Sequence, residues 1–334
     1  MMYTLHNDTD SFKTLITRIS IEQSILPEII EKDYFVTLIL QEIAEKQKSY
    51  EVFFKGGTAL YKALKSINRF SEDIDLVLDR AVLGYTGDLS KNKIKALRRD
   101  SCIFISGEFR EVLEKQLLVI GVPAQLFSLT VKETTEHDRD PQVLVLNYTS
   151  ALDKDPYLRE AVLIEIGARS LREPAEQREI SSLIGQTLEN DEVAGAPFRI
   201  LTVTPPRTFL EKIFLLHEEF SKAEEKVKSE RMSRHFYDIE RIMRTEYAEQ
   251  ALNDKELYQG IIAHREKFNA LRGLDYSGHQ PAKIRFLPPE ALLKDWEADY
   301  RAMRESMFYG ESLPFSELID RLRALQKRIN ELPD

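Results

Sequence analysis

The sequence predicts an α/β (α+β) domain with a mixed sheet over residues 1–205 and an all-helical domain over residues 206–334. Short apolar runs of strand type recur as far as Thr204, with helical patterns between them. After Pro205-Pro206 no further strand pattern occurs, and the apolar spacing is that of helices. The two prolines therefore mark the predicted domain boundary.

The composition is that of a globular protein, with 43% hydrophobic and 31% charged residues. The single cysteine, Cys102, excludes an intramolecular disulfide and a cysteine-based zinc site, and it suits a reducing compartment. The polar N-terminus is unlike a signal peptide, and no apolar run approaches the ~20 residues that span a membrane. We therefore expect a cytoplasmic protein that does not enter the membrane.

The net charge of −9 argues against a protein that simply coats nucleic acid. Residues 91–99 nevertheless hold five cations and no acid. Such a run is usually a solvated helix face. Contact with RNA phosphates is the functional alternative. The overall acidity could instead serve a basic protein partner, and the sequence does not decide between these.

The order of elements follows from local patterns. Two helices over residues 11–46 divide near Pro27, and Glu31-Lys32-Asp33 lies on the polar side of the second. One or two helices are predicted over residues 91–120, and the polar stretch 173–190 is also predicted to be helical. Strands are predicted at 125–132, 142–149, 161–167 and 199–204. The C-terminal helices are predicted at 208–225, 255–268, 290–308 and 315–330.

The central stretch, residues 51–78, reads as strand, glycine turn, short helix and second strand. Gly56-Gly57 breaks regular structure and allows a ligand close to the backbone. Thr58 is predicted to be the N-cap of a helix over residues 59–64, whose positive dipole end would face a bound anion. Asp73 and Asp75, two apart on the second strand, face the same way.

Two carboxylates beside a glycine turn favour a Mg²⁺ site, because the ion relieves their repulsion and binds phosphate oxygens. Solvated acids beside an ordinary turn are the alternative. Glu165 interrupts a very apolar strand, and burying an acid there is costly unless it is paired or binds metal. It is the candidate third ligand, or else an outward-facing glutamate on a half-exposed strand.

Five stretches together resemble a known family. Lys55-Gly56-Gly57-Thr58, and the run Arg69-Phe70-Ser71-Glu72-Asp73-Ile74-Asp75-Leu76, resemble the signature of the AbiEii/AbiGii toxins. Residues 209–217 and 233–239 are similar to the family's third and fourth motifs, and Glu31-Lys32-Asp33 also matches. The resemblance covers most of residues 28–245. It implies a nucleotidyltransferase fold of the polymerase-β-like superfamily, to which MenT-like toxins belong, and a toxin of bacterial toxin–antitoxin or phage-defence loci.

The resemblance also implies the site and the reaction. Its implied catalytic residues are Asp73, Asp75, Lys212 and Asp238, and two Mg²⁺ ions would be held by Asp73, Asp75 and Glu165. The implied nucleotide-binding residues are Lys55, Gly56, Gly57, Thr58, Arg69, Ser71, Arg234 and His235. Lys212 would contact triphosphate oxygens, and Asp238 would position Lys212 or the base. Without the resemblance, Lys212 would be taken as solvent-facing, and Arg234 with Asp238 as an intrahelical salt bridge.

The implied activity is transfer of a nucleoside monophosphate from a nucleoside triphosphate to an RNA acceptor, the 3′ end of a tRNA, with a cognate antitoxin as partner. Two alternatives remain open. One is a nucleotidyltransferase that modifies a protein or a small molecule such as an antibiotic. The other is a non-catalytic module that binds nucleotide or antitoxin.

Overall fold

The computed structural model describes residues 5–45, 51–64, 67–71, 73–133, 140–152, 160–188 and 195–332. They form two compact units. The first, here called the sheet unit, lies within Met1–Ala63 and Ser71–Val203; the second, the helical unit, lies within Leu64–Phe70 and Thr204–Asp334. Division into domains 1–205 and 206–334 stays a prediction, because compactness does not show that either part folds alone.

The sheet unit is built on a mixed sheet with the strand order β3-β4-β5-β2-β1-β7-β6 in the described residues. The strand bounds are β1 Val52–Lys55, β2 Ile74–Leu78, β3 Phe127–Val131, β4 Gln142–Tyr148, β5 Ala161–Gly167, β6 Ala175–Ile180 and β7 Phe198–Val203. Strand β2 is parallel to β5 and β1 is parallel to β7, while the other neighbours are antiparallel. The predicted mixed sheet is confirmed.

The helices of this unit are α1 Thr9–Gln23, α2 Pro27–Glu45, α3 Gly56–Leu64, α4 Lys91–Phe104, α5 Arg110–Val119 and α6 Leu183–Thr187. The division of α1 from α2 at Pro27 is as predicted. The expectation that Glu31-Lys32-Asp33 lies on a polar surface is wrong, since these side chains are at most 2% exposed. Helix α2 is buried on all sides, so its polar residues need partners inside the unit.

The predicted helix over residues 173–190 is also wrong for its first half. Residues 175–180 form β6, an edge strand paired antiparallel with β7 from Ala175↔Val203 to Ile180↔Phe198. Among the described residues of that stretch, 173–188, α6 alone is helical. An edge strand covered on one side needs few apolar residues, so the polar composition that favoured a helix is compatible with sheet pairing.

The helical unit contains α7 Pro205–Phe220, α8 Arg234–Met243, α9 Glu246–Asn253, α10 Lys255–His264, α11 Leu293–Ser306 and α12 Phe315–Asn330. Trp296, fully buried, packs with ring centroids 4.8 Å from both Phe220 and Phe236. Apart from a single bridge between Arg69 and Phe308, its described residues form no strand pairing. The helical character predicted after Pro206 is confirmed. In the part of the chain that the structure describes, no helix has the length and apolarity needed to cross a membrane.

Candidate active site

The glycine turn of the sheet unit lies against Asp75. Gly56 has a φ of +77°, and a Cβ atom built there would lie 2.0 Å from Asp75 Oδ2. No side chain fits that space, and L-residues rarely adopt that backbone conformation. Glycine at position 56 is therefore required both by the turn and by the close approach of a carboxylate.

Helix α3 begins at Gly56, two residues before Thr58. The prediction that Thr58 is the N-cap is therefore wrong. Its hydroxyl instead donates to the carbonyl oxygen of Asp73 at 2.5 Å. A polar side chain that caps no helix can still donate a hydrogen bond to a backbone carbonyl of a neighbouring segment. Here Thr58 ties the first turn of α3 to the residue that precedes β2.

A row of charged side chains crosses the sheet beside this turn. Lys55 on β1 is the register partner of Asp75 on β2, and Asp75 is the register partner of Glu165 on β5. Register partners on neighbouring strands project from the same face, so the three side chains share it. All three are half-buried, and Lys55 Nζ donates to Ser170 Oγ at 3.1 Å. Asp73, two residues before Asp75, is also half-buried.

The carboxylates suit Mg²⁺ as donors. In the described residues, no group of three or more His, Cys, Asp or Glu side chains is arranged to hold a metal ion. Mg²⁺ does not need such a cage, because it is commonly bound by one or two carboxylates together with water and substrate phosphates. Asp73 and Asp75 therefore fit this ion chemically, while Glu165 as a third ligand stays a prediction.

A buried ion pair anchors the other half of α3. Lys62 Nζ lies 2.5 Å from Asp33 Oδ1, and Asp33 Oδ2 accepts the backbone N–H of Leu183 at 2.7 Å. Burial lowers the pKa of Lys62, and the charge of Asp33 opposes that shift. Asp33 thus ties α2 to α3 and to the start of α6. Sequence reasoning missed Lys62; the available signal was a lysine within the apolar helix ALYKAL.

Glu31, in the same triplet, has a separate role. Its carboxylate accepts hydrogen bonds from Ser150 Oγ and from the backbone N–H of Ala151, both at 2.6 Å. These bonds satisfy an acid that is 2% exposed and hold the start of the segment that follows β4. The triplet therefore braces the sheet unit through contacts distant in sequence.

The helical unit holds a second charged cluster, centred on Asp238 of α8. Arg69 donates to it through two nitrogens, with Nε–Oδ1 at 2.6 Å and Nη2–Oδ2 at 2.7 Å. Lys212 of α7 approaches the same carboxylate, with Nζ–Oδ2 at 2.9 Å, and lies 3.4 Å from His235 Nδ1. The structure therefore brings together four of the predicted residues, Arg69, Lys212, His235 and Asp238.

The electrostatics of this cluster follow from burial and charge. Burial alone would raise the pKa of Asp238, but the charges of Arg69 and Lys212 outweigh it and hold the pKa below its usual range. Burial lowers the pKa of Lys212, and Asp238 partly offsets that effect. The pKa of His235 is lowered well below its usual value, first by burial and then by Lys212, so the imidazole is neutral at neutral pH. Asp238 is the anion that keeps two buried cations charged.

The remaining predicted residues have simpler surroundings. Gly57 and Ser71 are half-buried in the sheet unit, and Arg234 is half-buried at the start of α8. Both carboxylate oxygens of Asp238 are engaged by Arg69 and Lys212, so an intrahelical pair with Arg234 is not needed to satisfy it. Glu72, within the predicted signature, lies outside the described residues.

Comparison with known proteins gives the family. A family model described as "Nucleotidyl transferase AbiEii toxin, Type IV TA system" matches residues 38–324. JHP933 of Helicobacter pylori is 13% identical, with 90% of this chain and 93% of that chain covered and a TM-score of 0.42. MenT4, a nucleotidyltransferase toxin of Mycobacterium tuberculosis, is 17% identical, with 95% and 97% covered and the same TM-score. No curated protein matches the chain. Because the family model spans most of the sequence, including the glycine turn, Asp73, Asp75 and the Lys212–Asp238 cluster, the protein belongs to the AbiEii nucleotidyltransferase toxin family of type IV toxin–antitoxin systems.

Proposed function

We propose that this protein transfers a nucleoside monophosphate from a nucleoside triphosphate to an RNA acceptor, the 3′ end of a tRNA. Membership of a nucleotidyltransferase toxin family supports the reaction class. The observation that carries the site is the close approach of Asp75 to Gly56, because it sets a carboxylate against the glycine turn from which α3 begins. Growth arrest would follow from loss of tRNA charging.

In this proposal, Asp73 and Asp75 are the ligands of two Mg²⁺ ions, with Glu165 as a third carboxylate on the same sheet face. Bound Mg²⁺ supplies charge neutralisation at the phosphates and acidifies the acceptor hydroxyl. Gly56 and Gly57 bring backbone close to the triphosphate, and the N-terminal end of α3 favours its negative charge. The acceptor oxygen then bonds to the α-phosphorus as the bond to pyrophosphate breaks and the hydroxyl proton leaves.

Three further residues hold the triphosphate in this proposal. Ser71 is the hydroxyl ligand of the phosphates, and Lys55 and Arg234 are cationic ones. Thr58 is fully buried and its hydroxyl already donates to the carbonyl of Asp73, so we assign it to positioning that residue. Ordered donors around the transferred group stabilise charge that develops in the transition state.

Lys212 is the proposed cation for the leaving pyrophosphate. Burial lowers the pKa of Lys212, and the contact with Asp238 opposes that shift and so favours the charged form that this role needs. Arg69 is 1% exposed and its guanidinium also donates to the carbonyl oxygen of Phe70, so we assign it to positioning Asp238 rather than to the nucleotide. His235, being neutral, is suited to accept a hydrogen bond from Lys212.

The test is incubation of the purified protein with total bacterial RNA, Mg²⁺ and each α-³²P-labelled nucleoside triphosphate in turn. We expect label on tRNA-sized species, and its loss in the Asp73→Asn and Asp75→Asn proteins. Glu179→Gln is the matched control, because it removes an exposed carboxylate from the edge strand β6. Label that persists in both aspartate variants would refute the site. Label on protein instead of RNA would refute the acceptor.

A cognate antitoxin encoded beside the toxin is the proposed protein partner, as the family description implies. Co-expression provides the test: growth arrest by the toxin alone, relieved by the adjacent gene, is the expected result. A cytoplasmic location stays a prediction.

A further inference from the structure

Helix α4 presents the most cationic exposed surface along the described N-terminal half of the chain. Lys91, Lys93, Lys95 and Arg99 are exposed, whereas Ile94 and Leu97 are buried beneath them. Within the described residues, no ion pair joins Lys91, Lys93 or Lys95 to an acid. Arg99 contacts Asp100 at 3.3 Å, but both side chains are largely solvent-accessible. The helix thus displays concentrated positive charge in a protein whose net charge is −9.

The stability of α4 does not account for these lysines. Lys91 and Lys93 lie in its first turn, where the helix dipole is positive and disfavours cations by roughly 0.3–1 kcal/mol each at a surface. No acid occupies that first turn to offset them. Ser90 caps the helix without help from the lysines, since its Oγ accepts the backbone N–H of Lys93. The lysines therefore have no stabilising role within α4 itself.

The cations form an ordered row. Lys91, Lys95 and Arg99 are each four residues apart, so they lie on one side of the helix and the row is about 12 Å long. Each strand of double-helical DNA carries a phosphate roughly every 3.4 Å of the helix axis. A row of three cations about 12 Å long is on that scale, so it can contact several phosphates of one strand.

The residue types favour nucleic acid over a protein partner. Protein interfaces are depleted in lysine and enriched in aromatic residues. Three of the four exposed cations here are lysines. Among the described residues of α4, Ile103 is the one large hydrophobic side chain that is exposed. Lysine on a flexible stem is well suited to phosphate, which it binds as a point charge.

We propose that the exposed row of Lys91, Lys95 and Arg99 on α4 is a binding surface for the phosphate backbone of the acceptor RNA. The inference rests on the proposed RNA acceptor. The contact is independent of sequence, so it raises affinity and holds the acceptor without selecting its bases. It also lets an acidic protein bind RNA, because the local attraction at α4 acts even though the rest of the surface repels the strand.

The test is a binding titration of full-length protein with fluorescein-labelled tRNA, followed by fluorescence anisotropy between 50 and 300 mM salt without nucleotide. The variant is Lys91→Gln/Lys95→Gln/Arg99→Gln. The control removes the same charge from three exposed cations that each have an acid within 4.0 Å on their own helix, Arg301→Gln/Arg323→Gln/Lys327→Gln. Circular dichroism confirms that both are folded.

We expect the α4 variant to bind roughly 10- to 100-fold more weakly at low salt, with the slope of log K against log salt smaller by about 2 to 3. The control should change affinity by less than threefold. Equal losses in both variants would overturn the proposal, because bulk charge would then explain binding. Unchanged tRNA binding by the α4 variant would also overturn it. Since no nucleotide is present, failure of the transfer reaction does not alter this measurement.

Discussion

Replacement of Gly56 by alanine tests the geometry on which the candidate site depends. The left-handed backbone at φ +77° costs an alanine roughly 1–2 kcal/mol, and its Cβ would lie 2.0 Å from Asp75 Oδ2. Carbon and oxygen atoms in contact need more than about 3 Å, so the carboxylate must move by about 1 Å or more. A displacement of that size at a catalytic group can cost about 100-fold in rate.

Gly84→Ala is the matched control. Gly84 has a φ of +79°, and a Cβ there meets nothing within 4 Å, so the substitution has the same backbone cost without the collision. Both variants should melt at lower temperature, by roughly 2–4 °C for each kcal/mol lost. Only Gly56→Ala should lose about 100-fold in nucleotide transfer, measured with labelled nucleoside triphosphate. Equal activity in the two variants would show that the position of the Asp75 carboxylate does not matter, and the proposed site would be refuted.

Two further predictions concern buried charges in the sheet unit. Asp33→Asn and Lys62→Met should each destabilise the protein by about 3–5 kcal/mol, because each leaves a buried partner unpaired. The double variant should lose clearly less stability than the sum of the two single variants, as measured by chemical denaturation. Strictly additive losses would contradict the pairing. Burial lowers the pKa of His6 to about 4, and its Nδ1 lies 2.8 Å from Tyr34 Oη. Because this pKa is below the unfolded value of 6.5, the contribution of His6 is complete above pH 6.5 and is lost as pH falls towards 4, by up to about 3 kcal/mol. His6→Gln should therefore flatten the decline of melting temperature between pH 7 and 4.5, and parallel profiles for the two proteins would exclude His6 as its source.

Much of the fold could be predicted because its signals are local. Proline at 27 and at 205–206, glycine at 56–57 and the apolar strand runs mark element boundaries through the conformations those residues allow. The β6 edge strand gave no such signal. Its conformation depends on pairing with β7, and its outward residues Glu176, Gln177 and Glu179 are as polar as those of a surface helix.

In the candidate site as well, the features set by local sequence could be predicted and those set by distant contacts could not. Asp73 and Asp75 could be predicted to share a face, because strand geometry alone places residues two apart on one side. Glu165 could be suspected from the cost of an acid in an apolar strand, but its alignment with Asp75 required the pairing of β2 with β5. The partner of the buried Asp33 could not be predicted from the local sequence. Asp33 meets Lys62 across 29 residues, and no local pattern encodes a contact at that separation.

Three contacts of α3 hold the glycine turn and the following strand in a fixed arrangement. Gly56 admits the Asp75 carboxylate, Thr58 donates to the carbonyl of Asp73, and one helical turn later Lys62 is held by Asp33. The first two contacts alone would let the helix pivot about its N-terminus. The third removes that freedom, because Asp33 is itself bonded to Leu183 and lies on a fully buried helix. Rotation of α3 would separate Lys62 from Asp33 and leave both charges buried without water. That loss of stability opposes the rotation, so the positions of Asp73 and Asp75 relative to the glycine turn are fixed.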